Sequence, residues 1–213
     1  LQAVKDLSQA GFVVVAGGWF GGHYTDEEGD PTTYEDGVTW PNGPALEPGT
    51  SPGSFYNILA LVTAVRTLNS VRPDRVGLFG HSRGAVAALA FTFREERIQA
   101  VVAWAGFPPI GMITDIRTPV LMLESTTDPY FPLSEAQAFE RALRAAGYPV
   151  EAVYYEGASH YLYEDSPWRE DAVARVRAFF QKHLAPPPGD ERLLPPPPPP
   201  PFSSPFTLST IPP

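Results

Sequence analysis

Three residue types that cooperate in nucleophilic catalysis recur in this chain at telling places. Ser82 stands in Gly80-His81-Ser82-Arg83-Gly84, between the apolar run Val76–Phe79 and a small-residue stretch beginning at Ala85. That arrangement reads as a strand, a tight turn and a helix, a nucleophile elbow that exposes a serine hydroxyl above a sheet. Gly80 and Gly84 both read as positions where a sharp turn leaves no room for Cβ. Ser82 would then sit at a helix N-terminus, where backbone N–H groups favour a developing negative charge. The Arg83 backbone N–H is the expected oxyanion-hole donor. A serine in such a turn can also be a plain helix cap, and Gly-x-Ser-x-Gly alone is a hypothesis. The downstream residues strengthen it.

Asp128 follows the strand-like run Pro119–Leu123, in Glu-Ser-Thr-Thr-Asp-Pro, and His160 follows Val150–Tyr155, in Glu-Gly-Ala-Ser-His. A serine hydroxyl needs a histidine to accept its proton, and the histidine needs an acid to fix its tautomer and stabilise its charged form. Ser82, Asp128 and His160 are therefore the expected catalytic residues. Asp128 precedes Pro129 and could be only a turn residue. Glu124 and Asp115 are alternative acids. Of the other histidines, His81 is expected to point away from the nucleophile, His183 to be solvated on the last helix, and His23 to lie in an exposed loop.

The segments GHSRG at 80–84, TTDPYFP at 126–132 and GASHYL at 157–162 resemble those of the dienelactone-hydrolase-like α/β-hydrolases, with the prolyl-oligopeptidase catalytic domain a close relative. The resemblance spans roughly residues 1–184 and extends to the chain order Ser…Asp…His. It implies an α/β-hydrolase fold and hydrolysis of a carboxylic ester or another acyl bond, with no cofactor. Dienelactone hydrolases themselves use a cysteine nucleophile, and this chain has no cysteine. The serine-bearing esterase and lipase branch fits better. Two other readings stay open: an inactive α/β-hydrolase remnant, and a serine peptidase of the prolyl-oligopeptidase type.

The elements that must position these residues alternate along the chain. A helix is expected over 1–10, a strand at Phe12–Ala16 and a Gly/Pro/Asp-rich loop over 18–50. A helix is expected from Ser51 to Ser70, with Ser51 as cap and Pro52 at its first position. Strand 75–79, helix 83–94, the continuous apolar strand Ile98–Ala105 and strand 119–123 follow. Helix 134–146 capped by Ser134, strand 150–155 and helix 169–184 close the domain. Such alternation predicts a mostly parallel sheet with helices on both faces. Under the resemblance the first elements correspond to the first helix and fourth strand. The chain, which opens on Leu1, would then lack the first strands and the loop carrying a second oxyanion donor, a loss of roughly 10²–10³ in rate.

Aromatic residues expected near strand C-termini, where such folds bind ligands, are Trp19, Phe20, Trp104, Tyr130 and Phe131, with Phe107 and Tyr161 nearby. They suggest a small-molecule ester with an apolar or aromatic group. Beyond Ala185 the chain holds 13 of its 26 prolines, seven consecutive at Pro195–Pro201. This second segment, 185–213, is expected to be extended and disordered: a linker, non-native sequence at a broken gene end, or a ligand for a proline-binding module. A net charge of −9 argues against nucleic acid as a partner. No uninterrupted apolar stretch reaches the roughly 18 residues of a membrane span. No His and carboxylate spacing suggests a metal site, and a cytoplasmic location is expected.

Overall fold

In a computed structural model of the chain, residues 2–16, 52–161 and 167–185 are described. The tail beyond Ala185 and the aromatic loop with Trp19 and Phe20 lie outside them.

Four short runs of the sequence become the strands β1 (Gly77–His81), β2 (Ala100–Trp104), β3 (Val120–Ser125) and β4 (Val150–Tyr155). They form one parallel sheet in the order β1-β2-β3-β4, with Leu78 opposite Val101, Val101 opposite Val120, and Val120 opposite Val150. Every residue of β2 and β3 is buried, as expected of central parallel strands covered on both faces. The helices are α1 (Gln2–Gln9), α2 (Pro52–Val65), α3 (Arg83–Thr92), α4 (Leu133–Ala145) and α5 (Trp168–Leu184).

Strand parity sorts the core into two layers. Val102, Trp104, Leu121 and Leu123 face Leu7 of α1 and Ala172, Val176, Phe179 and Phe180 of α5. Val101, Ala103, Val120 and Met122 face Leu89 of α3 and Phe139 and Leu143 of α4. Burying a large aliphatic or aromatic side chain contributes about 1.5–3 kcal/mol, so these layers fix the sheet on which the loops are mounted. Helix α3 is buried from Ala85 to Thr92, because α2 covers its outer side through Val62 and Phe91.

Three local expectations need correction. Residues 12–16 keep the alternation of a strand, with Phe12 and Val14 packed inward and Val13 and Val15 half exposed, but they join no ladder among the described residues. Alternating burial sets which side chains face the core; a strand also needs a hydrogen-bonded neighbour. Helix α2 stops at Val65, five residues short of Ser70, and the chain turns there. Helix α4 starts at Leu133, one residue before Ser134, because the carbonyl of extended Pro132 accepts the Glu135 and Ala136 N–H groups at 2.9 and 3.0 Å.

Candidate active site

The elbow is a product of backbone crowding. A Cβ on Gly80 would lie 2.1 Å from the Gly84 carbonyl oxygen, so β1 can meet the start of α3 only with glycine at 80. At Gly84 a Cβ would meet nothing within 4 Å. The steric requirement expected at both glycines thus falls on Gly80 alone. Between them Ser82 adopts φ 56°, ψ −124°, a conformation that costs a non-glycine residue about 1–3 kcal/mol. Neighbouring bonds hold it there. Its N–H donates to the Trp104 carbonyl at 2.8 Å, and its own carbonyl accepts from Ala85 and Val86 at 2.9 and 3.2 Å. The hydroxyl makes no capping bond to α3. It lies 2.9 Å from His160 Nε2 instead.

Asp128 and His160 are both nearly buried. Asp128 Oδ1 accepts the N–H groups of Tyr130 and Phe131 at 2.8 and 3.1 Å, an Asx turn over Pro129 that orients the carboxyl. Its Oδ2 lies 2.7 Å from His160 Nδ1. With an ionised Asp128 the proton belongs on Nδ1, which leaves Nε2 as the acceptor facing the Ser82 hydroxyl. Ser82, His160 and Asp128 therefore form a continuous hydrogen-bonded relay at the C-terminal ends of β1, β4 and β3.

Small side chains tie the acid loop to the base loop. Ser125 and Thr127 hydroxyls both donate to the Ala158 carbonyl, the latter at 2.8 Å, and Thr126 Oγ1 accepts the Gly157 N–H at 2.9 Å. Gly157, at φ 69°, turns the chain between them. The signal for this latch, three consecutive hydroxyl residues before Asp128, was present in the sequence but carried no chemistry of its own.

His81 does not point away from the site. Its Nε2 donates to the His160 carbonyl at 3.1 Å, and its ring lies 5.2 Å from the His160 ring. Tyr130 and Tyr161 stand edge-on to His160 at 4.9 and 5.2 Å, and Phe131 lies parallel to it at 6.0 Å. Tyr130 and Tyr161 are 68% and 53% exposed, which places two solvent-facing phenols at the rim of the relay.

Trp104 is corrected. It is fully buried, packs edge-on to Phe79 at 6.0 Å, and belongs to the α5 layer, not to a ligand pocket. As the last residue of β2 it inherits that face from strand parity. His183 is half-buried against Phe179 at 4.5 Å rather than solvated, and desolvation lowers its pKa from the usual histidine range. The Arg83 amide opens α3 beside Ser82, where helix N–H groups point outward. Asp115 is exposed and paired with Arg117 at 3.2 Å, remote from any role as the acid. Glu124 is fully buried and bonds the Gly106 N–H at 3.3 Å, not His160. Desolvation, reinforced by the Asp128 charge and opposed by the Gly106 N–H, holds its carboxyl well above the usual carboxylate range. Among the described residues no cluster of His, Cys, Asp or Glu could hold a metal ion, and no helix is long and apolar enough to cross a membrane.

Comparison with known proteins agrees with the fold. The sequence profile of the dienelactone hydrolase family matches residues 2–184. Human alpha/beta hydrolase domain-containing protein 17B is 29% identical over 131 residues, 52% of this chain and 44% of that protein. A putative carboxymethylenebutenolidase of Salmonella typhi is 27% identical over 144 residues, 62% of this chain and 53% of that protein. The chain thus spans about half the length of these curated relatives. Among solved structures, a putative dienelactone hydrolase from Klebsiella pneumoniae aligns with a TM-score of 0.51 at 22% identity, covering 60% of this chain and 62% of that one.

Proposed function

The chain belongs to the dienelactone hydrolase family, and we propose that within this hydrolase family it is a serine hydrolase that cleaves carboxylic esters through Ser82, His160 and Asp128. The observation that carries this reading is the relay itself, 2.9 Å from Ser82 Oγ to His160 Nε2 and 2.7 Å from His160 Nδ1 to Asp128 Oδ2. The chain has no cysteine to serve as nucleophile, and in this reading Ser82 takes that role.

The reaction runs in two halves. Ser82 Oγ attacks the ester carbonyl carbon while its proton passes to His160 Nε2, and the carbonyl electrons move onto oxygen. The Arg83 N–H faces that oxyanion at the start of α3. Collapse breaks the bond to the alcohol oxygen, which takes the proton from His160 and leaves an acyl-Ser82. Water then attacks the acyl carbon, its proton moving to Nε2. Collapse of the second tetrahedral species releases the acid and returns the proton to Ser82. Asp128, fixed by two backbone N–H groups, stabilises the imidazolium in both halves. Tyr130 and Tyr161, exposed beside His160, offer apolar ring surface to the ester and favour an apolar or aromatic group.

The direct test is labelling with a fluorophosphonate and hydrolysis of a short-chain p-nitrophenyl ester. Both should be present in the wild type and lost in Ser82→Ala. Labelling that persists in Ser82→Ala overturns the assignment.

A further inference from the structure

Strand β3 carries one carboxyl in an otherwise apolar run, Val-Leu-Met-Leu-Glu-Ser, and the ester chemistry does not use it. Glu124 is 1% exposed. Its Oε1 takes the Gly106 N–H at 3.3 Å, and its buried Oε2 meets no hydrogen-bond partner. Burying such a group with one oxygen unpartnered is costly, so its retention there calls for an explanation.

The segment it holds runs along the elbow. Trp104 accepts the Ser82 N–H, and the Ala105 N–H closes the ladder onto Leu123 at 2.8 Å. Ala105 then takes φ 51°, a left-handed conformation unfavourable for a residue with Cβ, which turns the chain out of the sheet. After that turn the Gly106 N–H has no strand carbonyl to continue on, and the Glu124 carboxyl takes that place. Gly106 in turn lies against the nucleophile residue. A Cβ there would sit 2.5 Å from the Ser82 carbonyl oxygen and 3.2 Å from Phe131 Cζ. One backbone segment therefore touches Ser82 at two points, and its outer end is held by Glu124.

We propose that Glu124 is a positioning residue for the Ser82 reaction: by accepting the Gly106 N–H it fixes the Trp104–Gly106 turn against the Ser82 backbone and so holds the hydroxyl at its reach to His160. This rests on the serine-hydrolase reading above. A neutral acid suits the place. The ionisable groups around it are Asp128 in the following loop, Tyr154 beside it in the β3–β4 register, and Glu140 of α4, which takes the Tyr154 hydroxyl at 2.7 Å and pairs with Arg144. The charge acting on it is that of Asp128, of its own sign, and burial raises its pKa further. A neutral glutamine reproduces both the acceptor oxygen and the absent charge; leucine is uncharged too but has no acceptor oxygen.

Three measurements on the full chain test this with Glu124→Gln and Glu124→Leu. In ester hydrolysis, Glu124→Gln should keep kcat within about threefold because its amide oxygen still accepts the N–H. Glu124→Leu should lose kcat on the order of 10²-fold with KM little changed, as a misplaced nucleophile does. Amide hydrogen exchange over residues 104–107 should be as slow in Glu124→Gln as in wild type and faster in Glu124→Leu. Thermal melts across pH report the charge state of Glu124 and need no leucine variant. The folded chain keeps a proton on Glu124 that the unfolded chain releases above its ordinary pKa of 4.5, so wild type should lose stability relative to Glu124→Gln as pH rises past that value. A Glu124→Gln enzyme as slow as Glu124→Leu overturns the proposal, as does faster exchange over residues 104–107 in Glu124→Gln than in wild type. A wild type without Ser82-dependent turnover defeats the serine-hydrolase reading. Exchange still decides the latch in that case, since equal protection of 104–107 in wild type and Glu124→Leu removes it.

Discussion

The imidazole of His81 donates from Nε2 to the backbone carbonyl of His160 at 3.1 Å, joining the residue before Ser82 to the residue proposed to take its proton. The two are 79 positions apart, yet this bond makes the elbow and the β4–α5 loop one unit. Replacing His81 by Phe keeps a ring and removes the donor. We expect kcat on a short-chain ester to fall about tenfold, with stability lowered by about 1 kcal/mol for the lost hydrogen bond. Glutamine, whose amide can donate, should restore part of the rate. Equal kcat for His81→Phe and wild type would show that the bond does not position His160.

Asp128→Asn should lower kcat on the order of 10⁴-fold, because an amide facing Nδ1 no longer stabilises the tautomer that leaves Nε2 free. Its two backbone acceptor bonds survive through the amide oxygen, so the melting temperature should change little. Asp115→Asn, out in solvent beside Arg117, should leave both unchanged. A large loss in Asp115→Asn would move the acid.

Only a neutral imidazole accepts a proton from Ser82, so turnover should show an acid limb, rising with pH. The same limb should appear in Glu124→Gln, whose substitution leaves the relay atoms in place. A rate with no acid limb would argue against His160 as the base.

The relay was legible because each member follows a strand C-terminus, and strands in a parallel sheet bring those ends to one edge. What escaped was set by long-range packing. His81, Gly106 and Glu124 act through contacts between segments 18 to 79 residues apart, and no periodicity reports them. Trp104 was misplaced for a different reason. Ile98–Ala105 is apolar at nearly every position, and a strand without alternation does not say which face each side chain takes. Gly84 was misread because the motif treats its two glycines alike, while the structure uses only the first for clearance.

That asymmetry gives the last prediction. Gly80→Ala forces a methyl group to 2.1 Å from the Gly84 carbonyl, a backbone atom that can yield only if β1 and α3 separate. Overpacking of this kind costs about 1–3 kcal/mol or more, and the strained Ser82 between the two elements should move with it. Loss of both Ser82 labelling and thermal stability is expected. Gly84→Ala places its methyl in open space at the second residue of α3. Alanine is favoured over glycine in a helix by about 0.5–1 kcal/mol, so this variant should melt no lower than wild type and keep its labelling rate. Melting curves and fluorophosphonate labelling of the two variants side by side would check this. Equal damage from both substitutions would mean that α3 meets β1 more closely at Gly84 than the structure places it.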